Sequence, residues 1–185
     1  MLFFLILSPY MAFTAMAYLA SLTDSVAVAA LVSLAINLAD HLRGRAPKAV
    51  GLASTAMFAG MTIYFVFAET EWSGVEIRLA LDLGIFAVAL ISITLRRPFT
   101  LQYARETTDE ATQREPTFVQ VNYVLTSVWA AAMAAMMAID ILAIYLPWLP
   151  LWAGLAVTFV LRSGAVQFTK WYPQRGLGDT AMIRF

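Results

Sequence analysis

The first 39 residues decide the fold class, because they stay apolar for longer than one membrane crossing requires. Residues 1–39 read MLFFLILSPYMAFTAMAYLASLTDSVAVAALVSLAINLA. As one helix rising ~1.5 Å per residue, this run would be nearly twice as long as the ~30 Å hydrocarbon core of a bilayer. Its central polar break consists of Ser21, Thr23, Asp24 and Ser25. The run therefore predicts a helical hairpin, with one helix over about 2–21 and a second over about 25–42.

The overall composition also indicates a membrane protein. Of the 185 residues, 61% are hydrophobic and 13% are charged, whereas soluble domains are roughly half apolar and about a quarter charged. Twelve basic and twelve acidic residues give a net charge of zero, which argues against a nucleic-acid partner. The chain has no cysteine and only one histidine, His41, so we predict neither a bound metal nor a cofactor.

Further apolar segments follow the N-terminal hairpin and complete the predicted fold. They span about 49–68, 75–95, 117–146 and 151–168. Together with the hairpin they predict an all-α, polytopic transmembrane bundle of six helices, with residues 1–185 forming a single domain. The hydrophilic stretches 96–116 and 169–185 are predicted to be a cytoplasmic loop and a cytoplasmic tail.

The basic residues predict the orientation, because loops rich in lysine and arginine stay in the cytoplasm. Six crossings from a cytoplasmic N-terminus place all twelve lysines and arginines except Arg78 on or near the cytoplasmic side. The first basic residue is Arg43, so the N-terminal segment lacks the positive region of a secretory signal and is expected to be retained. A five-crossing arrangement, with the first segment interfacial or re-entrant, stays open.

Three charged residues predicted in the outer half of the bundle form the first candidate site. Arg78 and Asp82 lie four residues apart on the fourth helix, and Asp140 lies at a similar depth on the fifth. Charges at this depth are costly and often functional. One hypothesis is a polar pocket that binds a solute headgroup or relays a proton. The simpler interpretation, which we favour, is an ion-paired network that packs the bundle.

A second polar layer is predicted near the cytoplasmic side. Its members are Asn37, Asp40, His41, Asn122 and Arg162. Asn37, Asp40 and His41 can share one helix face at spacings of three and four residues. Asp40 and His41 could act as a proton-coupling pair, since histidine titrates near neutral pH. We favour the alternative, in which they lie at headgroup level at a helix end.

Two other regions offer candidate contact surfaces. In the loop 96–116, Phe99, Leu101 and Tyr103 alternate with polar residues, which predicts a linker lying on the lipid interface and, as the less favoured alternative, a partner-binding element. Small residues such as Ala131 and Ala135 recur four apart on the fifth helix and permit close helix approach. An intramolecular contact is favoured, and a homodimer stays open.

A series of short motifs occurs in the order found in one family of membrane proteins. They are the basic loop Arg43, Arg45 and Lys48, then Gly60-Met61-Thr62, Arg96-Arg97-Pro98, Asn122 with Trp129, Leu146-Pro147-Trp148, Ser163-Gly164 and Pro173-Gln174. In this order the chain resembles the intracellular septation protein A family. The resemblance implies a non-enzymatic protein of the bacterial inner membrane, linked to envelope maintenance and division. Its partners would be membrane lipids and other envelope or division proteins.

The sequence therefore supports a structural or interaction role first. The second hypothesis is a small transporter or channel for protons, ions or a small solute, built around Arg78, Asp82 and Asp140. A weaker third hypothesis is an intramembrane lipid-modifying enzyme. We expect no enzyme activity and no catalytic residues, since the chain has no phosphate-binding glycine loop and no serine, histidine and aspartate at one depth.

Overall fold

The structure, a computed structural model, describes residues 2–68, 72–146, 148 and 150–176. This part of the chain forms eight helices: α1 (Leu2–Met16), α2 (Leu22–Leu42), α3 (Ala49–Ala68), α4 (Gly74–Thr94), α5 (Phe99–Ala104), α6 (Glu110–Gln113), α7 (Pro116–Tyr145) and α8 (Leu151–Gly176). The prediction of an all-helical protein is confirmed. Residues 69–71, Pro147, Leu149 and the end of the predicted tail at 177–185 lie outside the described residues.

Four of these helices are long and apolar enough to cross a membrane, namely α2, α3, α4 and α7. The chain is therefore a multi-pass membrane protein. α1 has 15 residues, roughly 22 Å at ~1.5 Å per residue, which is shorter than the bilayer core. α8 has 26 residues and is long enough, but it carries Arg162, Lys170 and Arg175 along its length.

Many large apolar side chains of the helices are exposed and several small polar ones are buried, which is unusual for a soluble protein. Leu31 on α2 and Ile63 on α3 are 66% and 61% exposed. Ser33, Ser54 and Thr126 are buried, each at 2% exposure or less. Lipid can cover an apolar exterior, while hydroxyl groups at helix contacts find hydrogen-bond partners.

The chain divides into two compact units, of which the first is Met1–Ile85. Within it α2 packs against both α1 and α3. Phe58 of α3 is fully buried, and the rings of Tyr10 and Phe13 from α1 lie 5.4 and 6.3 Å from its ring. The Tyr10 hydroxyl also bonds to the Ser54 hydroxyl at 2.9 Å. One aromatic cluster therefore fixes α1 on α3.

The predicted helical hairpin is present, but its first helix is shorter than expected. We predicted a helix to about residue 21, whereas α1 ends at Met16. The hydroxyl of Ser21 accepts the backbone N–H of Asp24 at 3.1 Å and so caps α2. Ser21 must lie outside both helices to do this, and the chain turns ahead of it.

α4 begins with a reciprocal cap, and one of its glycines lies against a side chain of α3. The Ser73 hydroxyl accepts the backbone N–H of Glu76, while the Glu76 carboxylate accepts the backbone N–H of Ser73 at 2.6 Å. This capping box satisfies two N–H groups at the helix start. Further along α4, Gly84 lies against the side chain of Met57, so that an added Cβ would overlap the Met57 thioether.

The second unit, Phe86–Phe185, contains α5 to α8 and the end of α4. In it α7 packs against α5 and α8. The core comprises Leu101, Ala104, Phe118, Val121 and Leu125, with Phe168 and Tyr172 packed against it. The loop predicted for 96–116 therefore contains α5 and α6, and α5 contributes to the core of this unit.

The predicted position of the aromatic stretch in this loop is wrong. Phe99, Leu101 and Tyr103 were expected on the lipid interface, but all three are buried. The hydroxyl of Ser92 accepts the Phe99 N–H at 3.1 Å and so completes the start of α5, which Pro98 cannot cap with a side-chain bond. Because the N–H is satisfied inside the protein, α5 can be buried.

α8 extends further than the sequence suggested. We predicted that the helix ends near Phe168 and that a polar tail begins at 169, whereas α8 continues to Gly176. The Trp129 indole N–H donates to the Thr169 hydroxyl at 3.0 Å, and the ring of Phe168 stacks on Tyr172 at 5.1 Å. These contacts bury one face of the added turns.

Candidate functional site

The turn between α2 and α3 holds a charged cluster centred on Asp40. One carboxylate oxygen of Asp40 accepts a hydrogen bond from Arg45 Nη1 at 2.8 Å, and the other accepts one from Lys48 Nζ at 2.7 Å. The cluster therefore contains two cations and one anion. Lys48 is the most enclosed member, with 6% of its surface exposed.

The backbone at the end of α2 brings Arg45 beside Asp40. Gly44 has a φ of 70°, a conformation that glycine adopts at little cost. The backbone N–H of Gly44 bonds to the His41 carbonyl at 2.9 Å, and that of Arg45 bonds to the Asp40 carbonyl at 3.0 Å. This pair of bonds is the Schellman ending of a helix. The Schellman ending reverses the chain direction. Arg45 therefore bonds to Asp40 twice, through its backbone N–H and through its side chain.

A cavity of about 150 Å³ lies at this cluster. Its polar wall is formed by Asn37, Asp40, His41, Arg45 and Lys48, and its apolar wall by Ala46, Pro47 and Leu52. The volume is well above the ~10–15 Å³ that a single water molecule requires. The polar wall has a net positive charge, since two cations face one carboxylate.

Asn37 links the charged cluster to a row of hydrogen bonds between α2 and α3. Its side-chain amide donates to the Gly51 carbonyl at 2.9 Å and to the Thr55 hydroxyl at 2.7 Å. The Thr55 hydroxyl lies 2.7 Å from that of Ser33. The two helices are therefore joined by polar contacts from the cavity toward the middle of the hairpin.

Of the predicted inner layer, the first unit contains Asn37, Asp40 and His41. All three line the same cavity, and His41 is exposed. Asp40 bonds to Arg45 and Lys48, two residues whose charges predict the orientation but which were not predicted to belong to this site. Gly44, two residues after the end of α2, is the signal that could have identified Arg45. In a Schellman ending the residue after the glycine bonds back to the last turn of the helix, which here contains Asp40.

The remaining inner-layer residues lie in the second unit. Asn122 on α7 is buried, and its amide donates to the Phe118 carbonyl at 2.9 Å. The Thr100 hydroxyl of α5 lies 2.9 Å from both the Asn122 carbonyl and the Thr126 hydroxyl. Arg162 is half-buried on α8. Asn122 therefore belongs to the packing contact between α5 and α7.

The other candidate cluster is divided between the two units. Arg78, half-buried, and Asp82, buried, lie one turn apart on α4 in the first unit. Asp140 lies on α7 in the second unit and is 1% exposed. Each of the three takes part in a hydrogen bond or electrostatic interaction.

Among the described residues, no group of three or more His, Asp and Glu side chains is arranged to hold a metal ion. Comparison with protein-family models, curated proteins and solved structures found no match to this chain.

Proposed function

We propose that this protein is a non-enzymatic structural or interaction protein of the bacterial inner membrane, acting in envelope maintenance or septation. The main support for this proposal is that side-chain hydroxyl and amide groups form hydrogen bonds between neighbouring helices. Ser33 bonds to Thr55 between α2 and α3, and Thr100 bonds to Thr126 between α5 and α7. Such contacts favour a fixed scaffold. The order of motifs shared with the intracellular septation protein A family supports the role in the envelope.

The scaffold would cross the membrane six times, with both termini in the cytoplasm. Support comes from the positive-inside distribution of the basic residues. The chain has no cysteine, so a single introduced cysteine reports its own location. Ala111→Cys, at an exposed position of α6, should react with an impermeant maleimide only from the cytoplasmic side. Trp148→Cys, at a position 75% exposed, should react only from the outside, and the reverse pattern would overturn the orientation.

The number of crossings needs a separate measurement. A fluorescent protein that folds only in the cytoplasm, fused to the N-terminus, should fluoresce if α1 crosses the membrane. A dark fusion that is present in the membrane fraction would instead support five crossings.

Localisation in dividing cells tests the proposed role. The full chain with a fluorescent protein at its C-terminus should collect at the division septum, and deletion in the native host should lengthen cells or weaken the envelope. A multi-pass protein without a division role serves as the control for membrane signal at the septum. An even distribution together with normal division after deletion would contradict the proposal.

A small transporter is the second candidate function, favoured by two buried carboxylates. Asp82 and Asp140 are 5% and 1% exposed on helices that are candidate spans, and intramembrane acids commonly mark ion pathways. Proton flux into proteoliposomes should then be lost in Asp82→Asn and Asp140→Asn. The exposed substitution Glu110→Gln is the matched control. Unchanged flux in folded variants, or none in the wild type, would exclude proton transport through these carboxylates.

A further inference from the structure

We propose that the cavity at the α2–α3 turn binds the phosphate group of an anionic phospholipid headgroup, with Arg45 and Lys48 as the binding cations. This inference requires only that the chain spans a membrane, and it does not depend on the role in septation. The chemistry needed is a phosphate ester with net negative charge.

The charge of the cavity wall favours an anion. Arg45 and Lys48 face the single carboxylate of Asp40, so the cluster has one more positive than negative charge. Lys48 is almost fully enclosed, and electrostatic attraction is stronger at a site shielded from water. A phosphate group would complete the neutralisation of the cluster.

The cations are also held in position before any ligand arrives. Asp40 uses both carboxylate oxygens, one on Arg45 and one on Lys48. A guanidinium has five N–H donors in a planar fork, and the bond from Arg45 to Asp40 uses one of them on Nη1. The Arg45 side chain is 37% exposed, so one of its remaining N–H donors can form a charge-assisted hydrogen bond to a phosphate oxygen.

The location of the cavity favours a lipid over a free anion. The turn joins two candidate spans, Leu22–Leu42 and Ala49–Ala68, so it lies near the headgroup level of the membrane. Leu52 lines the cavity and is 52% exposed. Leu38 of α2, next in sequence to the cavity residue Asn37, is 53% exposed. A lipid could therefore place its phosphate in the cavity and its acyl chains along these leucines.

A charge-matched pair of variants tests the proposal in the full-length protein. Arg45→Gln removes a cavity cation and leaves the bond between Asp40 and Lys48. Arg43→Gln removes the same charge at an exposed residue two positions away that does not line the cavity. Retention of phosphatidylglycerol is measured by native mass spectrometry after purification from nanodiscs of equimolar phosphatidylcholine and phosphatidylglycerol.

The wild type and Arg43→Gln should retain phosphatidylglycerol, and Arg45→Gln should bind it about tenfold more weakly, as for loss of one charge-assisted hydrogen bond. Equal retention by the two variants would overturn the proposal. Arg45→Lys keeps the charge and should retain binding of intermediate strength, which guards against misfolding of Arg45→Gln.

Inorganic phosphate distinguishes the two sources of the ligand. Added to the protein in phosphatidylcholine nanodiscs, it should raise the Tm of the wild type little if the site is built for a lipid. A large rise that requires Arg45 would support a phosphate site but assign it to a free anion. If neither phosphatidylglycerol nor phosphate depends on Arg45, the cavity is not a phosphate site.

Discussion

The side-chain amide of Asn37 on α2 donates to the backbone carbonyl of Gly51 on α3 at 2.9 Å. This contact requires that residue 51 has no side chain, because a Cβ there would lie 2.5 Å from the Asn37 Oδ1. The same amide also reaches the Thr55 hydroxyl. Gly51 therefore sets how closely α2 and α3 approach beside the phosphate cavity.

Substitution of Gly51 should loosen this hairpin. Gly51→Ala should lower the free energy of unfolding by about 1–3 kcal/mol, because the Asn37 side chain must move and lose its bonds to α3. Gly60→Ala, in the same helix, meets no atom within 4 Å. It should raise stability by up to about 1 kcal/mol, as expected for alanine in a helix interior. Thermal unfolding in detergent, followed by circular dichroism, measures both, and equal effects would contradict the packing role of Gly51.

The contact between α5 and α7 should depend on one hydroxyl more than on the other. Thr100→Val removes the bonds to both the Asn122 carbonyl and the Thr126 hydroxyl, so we expect a loss of about 1–2 kcal/mol. Thr126→Val leaves Thr100 able to donate to the Asn122 carbonyl and should cost less. Ser127→Ala, at an exposed position of α7, is the control. If Thr126→Val proves the more harmful variant in thermal unfolding, this hydrogen-bond assignment is wrong.

A glycine at position 96 should stabilise the end of α4. Arg96 has a φ of 56°, which costs a side-chain-bearing residue ~1–2 kcal/mol, while its N–H and that of Arg97 bond to the Ile93 and Ser92 carbonyls. Arg96→Gly should therefore stabilise the protein by about 0.5–1 kcal/mol, after the larger entropy of unfolded glycine is subtracted. Arg97→Gly removes the same charge without relieving strain, so its Tm should not rise. A Tm for Arg96→Gly at or below that of Arg97→Gly would contradict this prediction.

Acid should loosen the start of α6. The backbone N–H and the hydroxyl of Thr112 both donate to the Asp109 carboxylate at 2.9 Å, and the backbone bond is the first cause that holds the pKa of Asp109 below its ordinary value. Since the folded pKa is lowered, the stabilisation is present above the unfolded pKa of ~3.9 and is lost as the pH falls through the folded pKa. Carboxyl NMR titration should show this lowered pKa, and the protection factor of the Thr112 amide, which is corrected for the intrinsic pH dependence of exchange, should fall in acid. Asp109→Asn should remove the pH dependence of that protection factor, whereas an ordinary pKa would contradict the cap.

The extension of α8 should depend on its contact with α7. Trp129→Phe removes the indole donor and Thr169→Val its acceptor, and each should cost about 1 kcal/mol. Because both variants delete one bond, the double variant should cost less than the sum of the two single variants. Additive losses in thermal unfolding would show that this bond does not couple the helices.

Some parts of the fold could be predicted because the signals are local. The bounds of α3 agree with the predicted 49–68, since the segment is a continuous apolar run between a proline turn and acidic residues. The polar break at Ser21 marked the hairpin because serine caps a helix through its own backbone neighbours. The predicted start of α7 was also within one residue, at Pro116, where proline is favoured.

Other features depended on partners distant in the chain. The alternation of Phe99, Leu101 and Tyr103 fits an interfacial strip as well as a buried helix, and the contact of Thr100 with Thr126 distinguishes them. The polar residues after 168 predicted a tail. In the structure Thr169 accepts a hydrogen bond from Trp129 and lies within α8. Asp40 was assigned to the headgroup region, and only the turn after α2 brought Lys48 to it.

The sequence by itself determined that this protein is helical, that it crosses a membrane more than once, and where the hairpin breaks. These follow from apolar length and capping chemistry, which act between near neighbours. Only the tertiary structure decided that α5 is buried, that α8 continues to Gly176, and that two cations converge on Asp40 around a cavity. Those features depend on which helix supplies the missing hydrogen-bond or charge partner, and that is set by packing.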